Sequence, residues 1–311
     1  MFYEGKRFDI TKNRPDVLLL GNGILLSSAA PKQEGKNWEE SVFKLSESLI
    51  SVEQQATFKG IPYSVLASIV ASTDDKGRRN AYLSCFQTLK LNPNSLLHQI
   101  LKFPFDAVLT TNYTYEIEDV FYPRYSSLSN KLKYAHTHST RADTRYAMHT
   151  FNQFKNSPEI WHVHGELRNK SSIVLTHDEY GRLSERIIER NRHIGNRYEF
   201  SKDNLPFTSW MDYFLVGNLH IVGLGMDFSE FDLWWLLNRR KREKISFGNI
   251  YFYASKDNSP ALLHALDKLG VNVVDANIDE TKPKDIYYGE LYRYIISYIQ
   301  NEINKSEGER Q

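Results

Sequence analysis

The sequence predicts an α/β fold: a doubly wound, parallel, Rossmann-like sheet with helices on both faces. Three observations predict it. Short apolar runs alternate with helix-like stretches along most of the chain. The runs break on glycine or small polar residues, at 21–23, 110–112, 164–165, 223–225 and 255–258. In doubly wound sheets ligands bind at such carboxyl ends. Finally, 311 residues with 41% hydrophobic content suffice for a substantial core.

The first strand lies in DVLLLGNGILLSSA and breaks at Gly21-Asn22-Gly23. NWEESVFKLSESLI follows, with Trp38, Val42, Leu45 and Leu49 at helical spacing. PYSVLASIVAS, NAYLSCFQTLKL and NSLLHQILKF read as further helices, the last starting near Asn94-Ser95. The strand FDAVLTTN comes next. Residues 120–157, rich in Tyr, His, Ser, Thr, Asn and Arg, read as a loop or small insertion. EIWHVHGEL and SSIVLTHDEY read as strands, the second leading to a helix near RLSERIIERNR. NLHIVGLGMDFSEFDLWWLLNRRKR reads as strand, glycine turn and helix, and GNIYFYASKDN as strand and loop. SPALLHALDKLG is a helix, VNVVDAN a strand and IYYGELYRYIISYIQNEI the last helix. Residues 1–311 are read as one domain, with 304–311 a flexible tail.

The net charge of +1 gives no global electrostatic case for nucleic acid or membrane partners. The single cysteine, Cys85, excludes a disulfide framework and a multi-cysteine zinc site. No apolar signal core opens the chain, and no run reaches the roughly 18 apolar residues of a membrane span. A cytoplasmic location is expected.

Four segments carry the chemistry. Gly21-Asn22-Gly23 either brings backbone close to a phosphate or makes a tight strand-to-helix turn. The third glycine of a dinucleotide fingerprint is absent, since Leu26 stands there. The dehydrogenase layout also wants a carboxylate at the end of the second strand. The sequence offers Asn112 instead, behind Thr110 and Thr111. His162 and His164 sit two apart, so a continuous strand would point both to one side. His164, beside Gly165, suits acid–base work, whereas His162 suits a hydrogen-bonded core role. A zinc reading would add His177 and Asp178, but no standard ligand spacing is present, and no metal is expected. Gly223-Leu224-Gly225 is a second glycine turn; Asp227 or Ser229 after it is a candidate N-cap. The basic run Arg239-Arg240-Lys241-Arg242 with Lys244 reads as a solvated helix C-terminus.

Taken in order, LLLGNG, LTTNYT, WHVHGEL…SIVLTHDEY and IVGLG…D resemble the sirtuin-like NAD-binding domain, more closely its divergent bacterial branch from phage-defence systems. The resemblance covers about residues 15–280. It implies a loop over the NAD phosphates at Gly21, Asn22, Gly23 and Ile24. It implies that Asn112 holds the nicotinamide ribose and positions water, flanked by Thr110 and Tyr113, and that His164 is the general base. Gly223, Gly225 and Asp227 would border the adenosine half, with Ser255 and Lys256 lining it. The four-cysteine zinc module of the deacylases is missing, and Thr114 stands where the family has an aspartate. The expected activity is hydrolysis of NAD to ADP-ribose and nicotinamide in anti-phage defence, gated by homo-oligomerisation or by a partner such as a HerA-type ATPase. The alternatives are an NAD-dependent deacylase and a non-catalytic sensor of NAD or ADP-ribose.

Overall fold

The computed structural model describes residues 5–29, 61–70, 76–84, 86–123, 126, 135–139, 147–151, 157–192, 198, 202–243 and 248–308. The helix read over residues 38–49, together with Cys85 and Lys244, lies outside them.

The main sheet contains β2 (Asp16–Leu20), β3 (Ala107–Thr110), β4 (Ala135–Ser139), β5 (Ala147–Phe151), β6 (Glu159–His162), β8 (Asn218–Val222), β9 (Ile250–Tyr253) and β10 (Asn272–Val274). Their order is β10-β9-β8-β2-β3-β6-β5-β4. From β10 to β6 every neighbour is parallel; β5 and β4 extend the edge antiparallel. A separate ribbon pairs β1 (Lys6–Phe8) with β7 (Leu205–Phe207). The helices are α1 (Asn22–Ser28), α2 (Tyr63–Val70), α3 (Lys76–Leu83), α4 (Leu96–Ile100), α5 (Glu116–Phe121), α6 (His177–Arg190), α7 (Trp210–Val216), α8 (Phe231–Arg242), α9 (Pro260–Lys268) and α10 (Lys284–Gly308). The predicted doubly wound parallel sheet is therefore present. The path runs from β2 outward through β3 to β6, then returns to β8 on the other side of β2 and continues through β9 to β10. The switch point lies between β2 and β8.

β2 shows why such a sheet needs uninterrupted apolar strands. Val17 and Leu19 pack into one layer with α6, α7 and α8, while Leu18 and Leu20 pack into the other with α1, α4 and α10. Each of these four is fully buried, worth about 1.5–3 kcal/mol apiece. The helix starts follow local chemistry. Ser259 Oγ accepts from Leu262 N–H ahead of Pro260, and Ser209 Oγ accepts from Met211 N–H. At α6 the Glu179 carboxylate reaches back to the N–H groups of Leu175 and Thr176.

Several expectations change. Ile173, Val174 and Leu175 are buried but join no strand; a 3-10 turn, Lys170–Ser172, precedes them, and α6 starts at His177. The helix expected over NAYLSCFQTLKL ends at Leu83. Within 120–157 the described residues include the β4–β5 hairpin, and α10 carries on to Gly308 through much of the segment read as a tail. The basic run is not simply a solvated cap. Arg240 is buried and donates to the carbonyls of Phe214, Gly217 and Gly248, tying α8 to the β8 and β9 starts. Among the described residues no helix is long and apolar enough to cross a membrane.

Candidate active site

A cavity of about 940 Å³ opens at the carboxyl ends of β2, β3, β8 and β9. Two glycine turns form its floor. Gly21 N–H donates to Val222 O (3.0 Å) and Gly23 N–H to Gly223 O (2.9 Å), sewing the end of β2 to the end of β8. A side chain at Gly21 would strike the backbone of Gly223 and Leu224. Gly223 itself takes φ +65°. The tight-turn reading therefore accounts for Gly21 and Gly223, and two of the loop's N–H groups are already committed. Asn22 and Gly23 still line the cavity, as do Gly223, Gly225 and Asp227. Asp227 Oδ1 accepts from Ser229 N–H (2.8 Å), so it fixes the turn, and Glu230 takes the N-cap position of α8.

Strand β3 explains the threonines before Asn112. Thr110 Oγ1 donates to Leu20 O (3.0 Å) and accepts from both the backbone N–H and the Nδ2 of Asn112 (3.1 Å each). One buried hydroxyl thus ties β3 to β2 and sets the amide of Asn112, with Oδ1 as its acceptor end. Asn112 and Thr111 line the cavity; Thr110 is fully buried behind them. Tyr113 points away, its hydroxyl donating to Val174 O (2.6 Å). Thr114 hydrogen-bonds the carboxyl of Glu116 at the start of α5.

His162 and His164 do not share a face. β6 ends at His162, and the turn through Val163 breaks the alternation before Gly165 at φ +87°. His162 points to α5: Nδ1 donates to Asn112 O (2.7 Å), and Nε2 meets Glu118 Oε1 (2.7 Å). His164 points to α8: Nε2 meets Asp232 Oδ2 at 2.9 Å. Its Nδ1 faces the Tyr180 hydroxyl at 3.4 Å and Glu230 Oε2 at 3.6 Å. Burial works to lower the pKa of His164, but the carboxylates of Asp232 and Glu230 outweigh it and hold the ring above its ordinary value. Burial pushes Glu230 up to about 7, with His164 opposing and Asp232 and Asp227 adding. Among the described residues, His164, Glu230 and Asp232 are the one group whose donor atoms gather within 4.8 Å as a metal site would need. The 2.9 Å contact to Asp232 already engages one ring nitrogen in a hydrogen bond. We read the trio as an acid–base cluster.

On the far side, Ser255 lines the cavity, and its N–H and Oγ both donate to Asn258 Oδ1. Lys256 turns away: Nζ donates to the carbonyls of Glu280 and Lys282 and sits 4.6 Å from the Tyr287 ring centre. Ile24 is buried in the core. The structure thus gathers Asn22, Gly23, Asn112, Gly223, Gly225, Asp227 and Ser255 on one wall system. Gly21, Ile24, Thr110, Tyr113, His164 and Lys256 lie off it. Sequence reasoning missed Glu230, Asp232 and Tyr180. The signal was the acidic spacing in DFSEFD directly after the second glycine turn.

The SIR2-like domain family matches residues 106–273, more than half of the chain. The match spans β3, Asn112, His164, β8 and the α8 acids. No curated protein matches the chain.

Proposed function

The chain belongs to the SIR2-like domain family, whose members are commonly NAD-using enzymes, and from that premise we propose that it hydrolyses NAD to ADP-ribose and nicotinamide. The observation that carries this reading is one juxtaposition. Asn112, oriented by Thr110, shares a cavity with Glu230, behind which stands the His164–Asp232 pair. A cavity of about 940 Å³ lies at the upper end of the roughly 300–1,000 Å³ common for small-ligand sites. That is room for a dinucleotide.

Nicotinamide leaves NAD as a neutral molecule, so its departure needs no acid. It builds positive charge on the ribose, as in other glycosidic cleavages. With the ribose set beside them, Asp227 and Glu230 on the wall and Asp232 behind it would stabilise that charge. The Asn112 amide orients the ribose and a water, and the acid–base cluster receives a proton. Among the described residues Lys284 is the one lysine or arginine on the wall, so an anion there would rely on backbone N–H groups more than on their cations.

As a defence enzyme of this kind the chain would deplete NAD on infection. A homo-oligomeric assembly or an ATPase partner would have to keep it silent until then. A second reading, binding without cleavage, is favoured by Thr114. Its hydroxyl is engaged with Glu116, so that position brings no carboxylate to the nicotinamide amide. The test is to incubate purified chain with NAD, alone and with a candidate partner, and measure nicotinamide. Release that disappears in Asn112→Ala supports hydrolysis; ADP-ribose binding without release supports the sensor.

A further inference from the structure

His164 does not reach the cavity. Its ring is fully buried, and two residues that do line the cavity, Tyr180 and Glu230, stand beside it. Nε2 is held by Asp232 at 2.9 Å. Nδ1 faces Glu230 Oε2 at 3.6 Å and the Tyr180 hydroxyl at 3.4 Å, and that hydroxyl lies 3.5 Å from Glu230 Oε2. The Glu230 side chain keeps 14% of its surface exposed, against none for His164 and Asp232. A proton leaving a molecule in the cavity therefore meets Glu230 before it meets His164.

We propose that Glu230 is a further catalytic residue of this site, the carboxylate that takes the proton from the attacking water, with His164 and Asp232 as positioning residues behind it. The proposal rests on the NAD-cleavage reading. The water oxygen bonds to the ribose carbon that carried nicotinamide. The carbon–nitrogen bond breaks, and its electron pair stays on the nicotinamide nitrogen. One water proton goes to Glu230 Oε2 and from there to solvent, and the products are ADP-ribose, nicotinamide and a proton.

The surroundings suit that task. The titratable groups around Glu230 are His164 from the β6 turn, Tyr180 from α6, Tyr113 after β3, and Asp227 and Asp232 on its own segment. Burial raises the carboxyl to about 7, and the raised His164 offers a cation that keeps its ionised form accessible. A base poised near neutrality accepts a proton readily and gives it up again. The strained backbone supports the placement. Met226 sits at φ +50° and is fully buried, anchoring the loop that carries Asp227 to Glu230.

The test uses the full chain and the isosteric variant Glu230→Gln. Nicotinamide release is followed from pH 5 to 9 in wild type, Glu230→Gln and His164→Ala. Wild type should rise through a limb near pH 7. Glu230→Gln should fall by about 100-fold or more and lose that limb. His164→Ala should keep a limb displaced to higher pH, because the cation that lowers Glu230 is gone. A Glu230→Gln enzyme with the wild-type rate, or with its limb intact, overturns the proposal. ADP-ribose binding by calorimetry at pH 7, in two buffers of different ionisation enthalpy, separates this from the broader reading. Wild type should exchange a proton on binding and Glu230→Gln should not. A chain that binds ADP-ribose but releases no nicotinamide overturns hydrolysis and, with it, the catalytic role of Glu230. An unchanged proton count in Glu230→Gln overturns the proposal alone, and a chain that neither binds nor cleaves overturns both.

Discussion

The corner around His162 and the corner around His164 are two residues apart, and both rings are fully buried. Each ring meets a carboxylate, Glu118 at 2.7 Å or Asp232 at 2.9 Å. The difference is in the other nitrogen. His162 closes on the carbonyl of Asn112, a group that cannot take or give a proton. His164 faces Glu230 and Tyr180, both protonable and both on the cavity wall. Burial and a paired carboxylate are thus common to both histidines. What separates them is whether the second nitrogen leads out to the cavity.

The largest effect should come from breaking the structural corner. His162→Ala leaves the Glu118 carboxyl buried without its imidazole partner and frees the Asn112 carbonyl. Losing one partner of a buried pair costs about 3–5 kcal/mol, so denaturant melts should show a loss of that size. A loss within experimental error would mean that the two corners are not built differently.

A third buried histidine sharpens the comparison from the other side. His220 stacks on Tyr251 at 4.8 Å, and its Nδ1 is 2.8 Å from the Tyr253 hydroxyl, while the Glu302 carboxylate acts on it only through its charge. Burial lowers it to about 4. A depressed histidine binds fewer protons folded than unfolded, so its neutral burial favours the fold at pH 7 and costs stability as pH falls below about 6.5. Relative to His220→Phe, wild type should lose about 2 kcal/mol between pH 7 and 5, read by melts at both pH values. A constant difference would contradict the assignment.

A smaller effect, on turnover, tests the corner around His164. Asp232→Asn keeps the shape but removes the carboxylate that raises both His164 and Glu230. Nicotinamide release should fall about tenfold or more, and its pH limb should move to lower pH. A limb that stays in place would show that Asp232 acts only by packing.

Much of the fold was legible because parallel strands announce themselves locally. β2, β3, β6, β8, β9 and β10 all lie in the apolar runs, and the polar ends of β2, β3, β8 and β9 mark the cavity. β1 and β7 were not legible, since three-residue strands paired from residue 6 to residue 207 leave no local pattern. Asn112 and the two glycine turns were readable as residues at the carboxyl ends where the cavity opens. The clamp that makes Asn112 usable, the Thr110 hydroxyl, showed only as an odd strand ending. Glu230 and Asp232 were hidden because an acid at a helix start reads equally as a cap. The divergence of His162 and His164 was hidden by the turn at Val163, where the period-2 rule stops applying.

The most direct test is nicotinamide release from NAD, measured for wild type, Asn112→Ala and His164→Ala, each alone and with a candidate partner. Turnover by wild type is expected, with a fall of about 100-fold in each variant, the loss that misplacing the attacking water or its base by about 1 Å brings, and with both variants folded. Wild-type turnover retained in His164→Ala, or no release by any form that binds ADP-ribose, would contradict it.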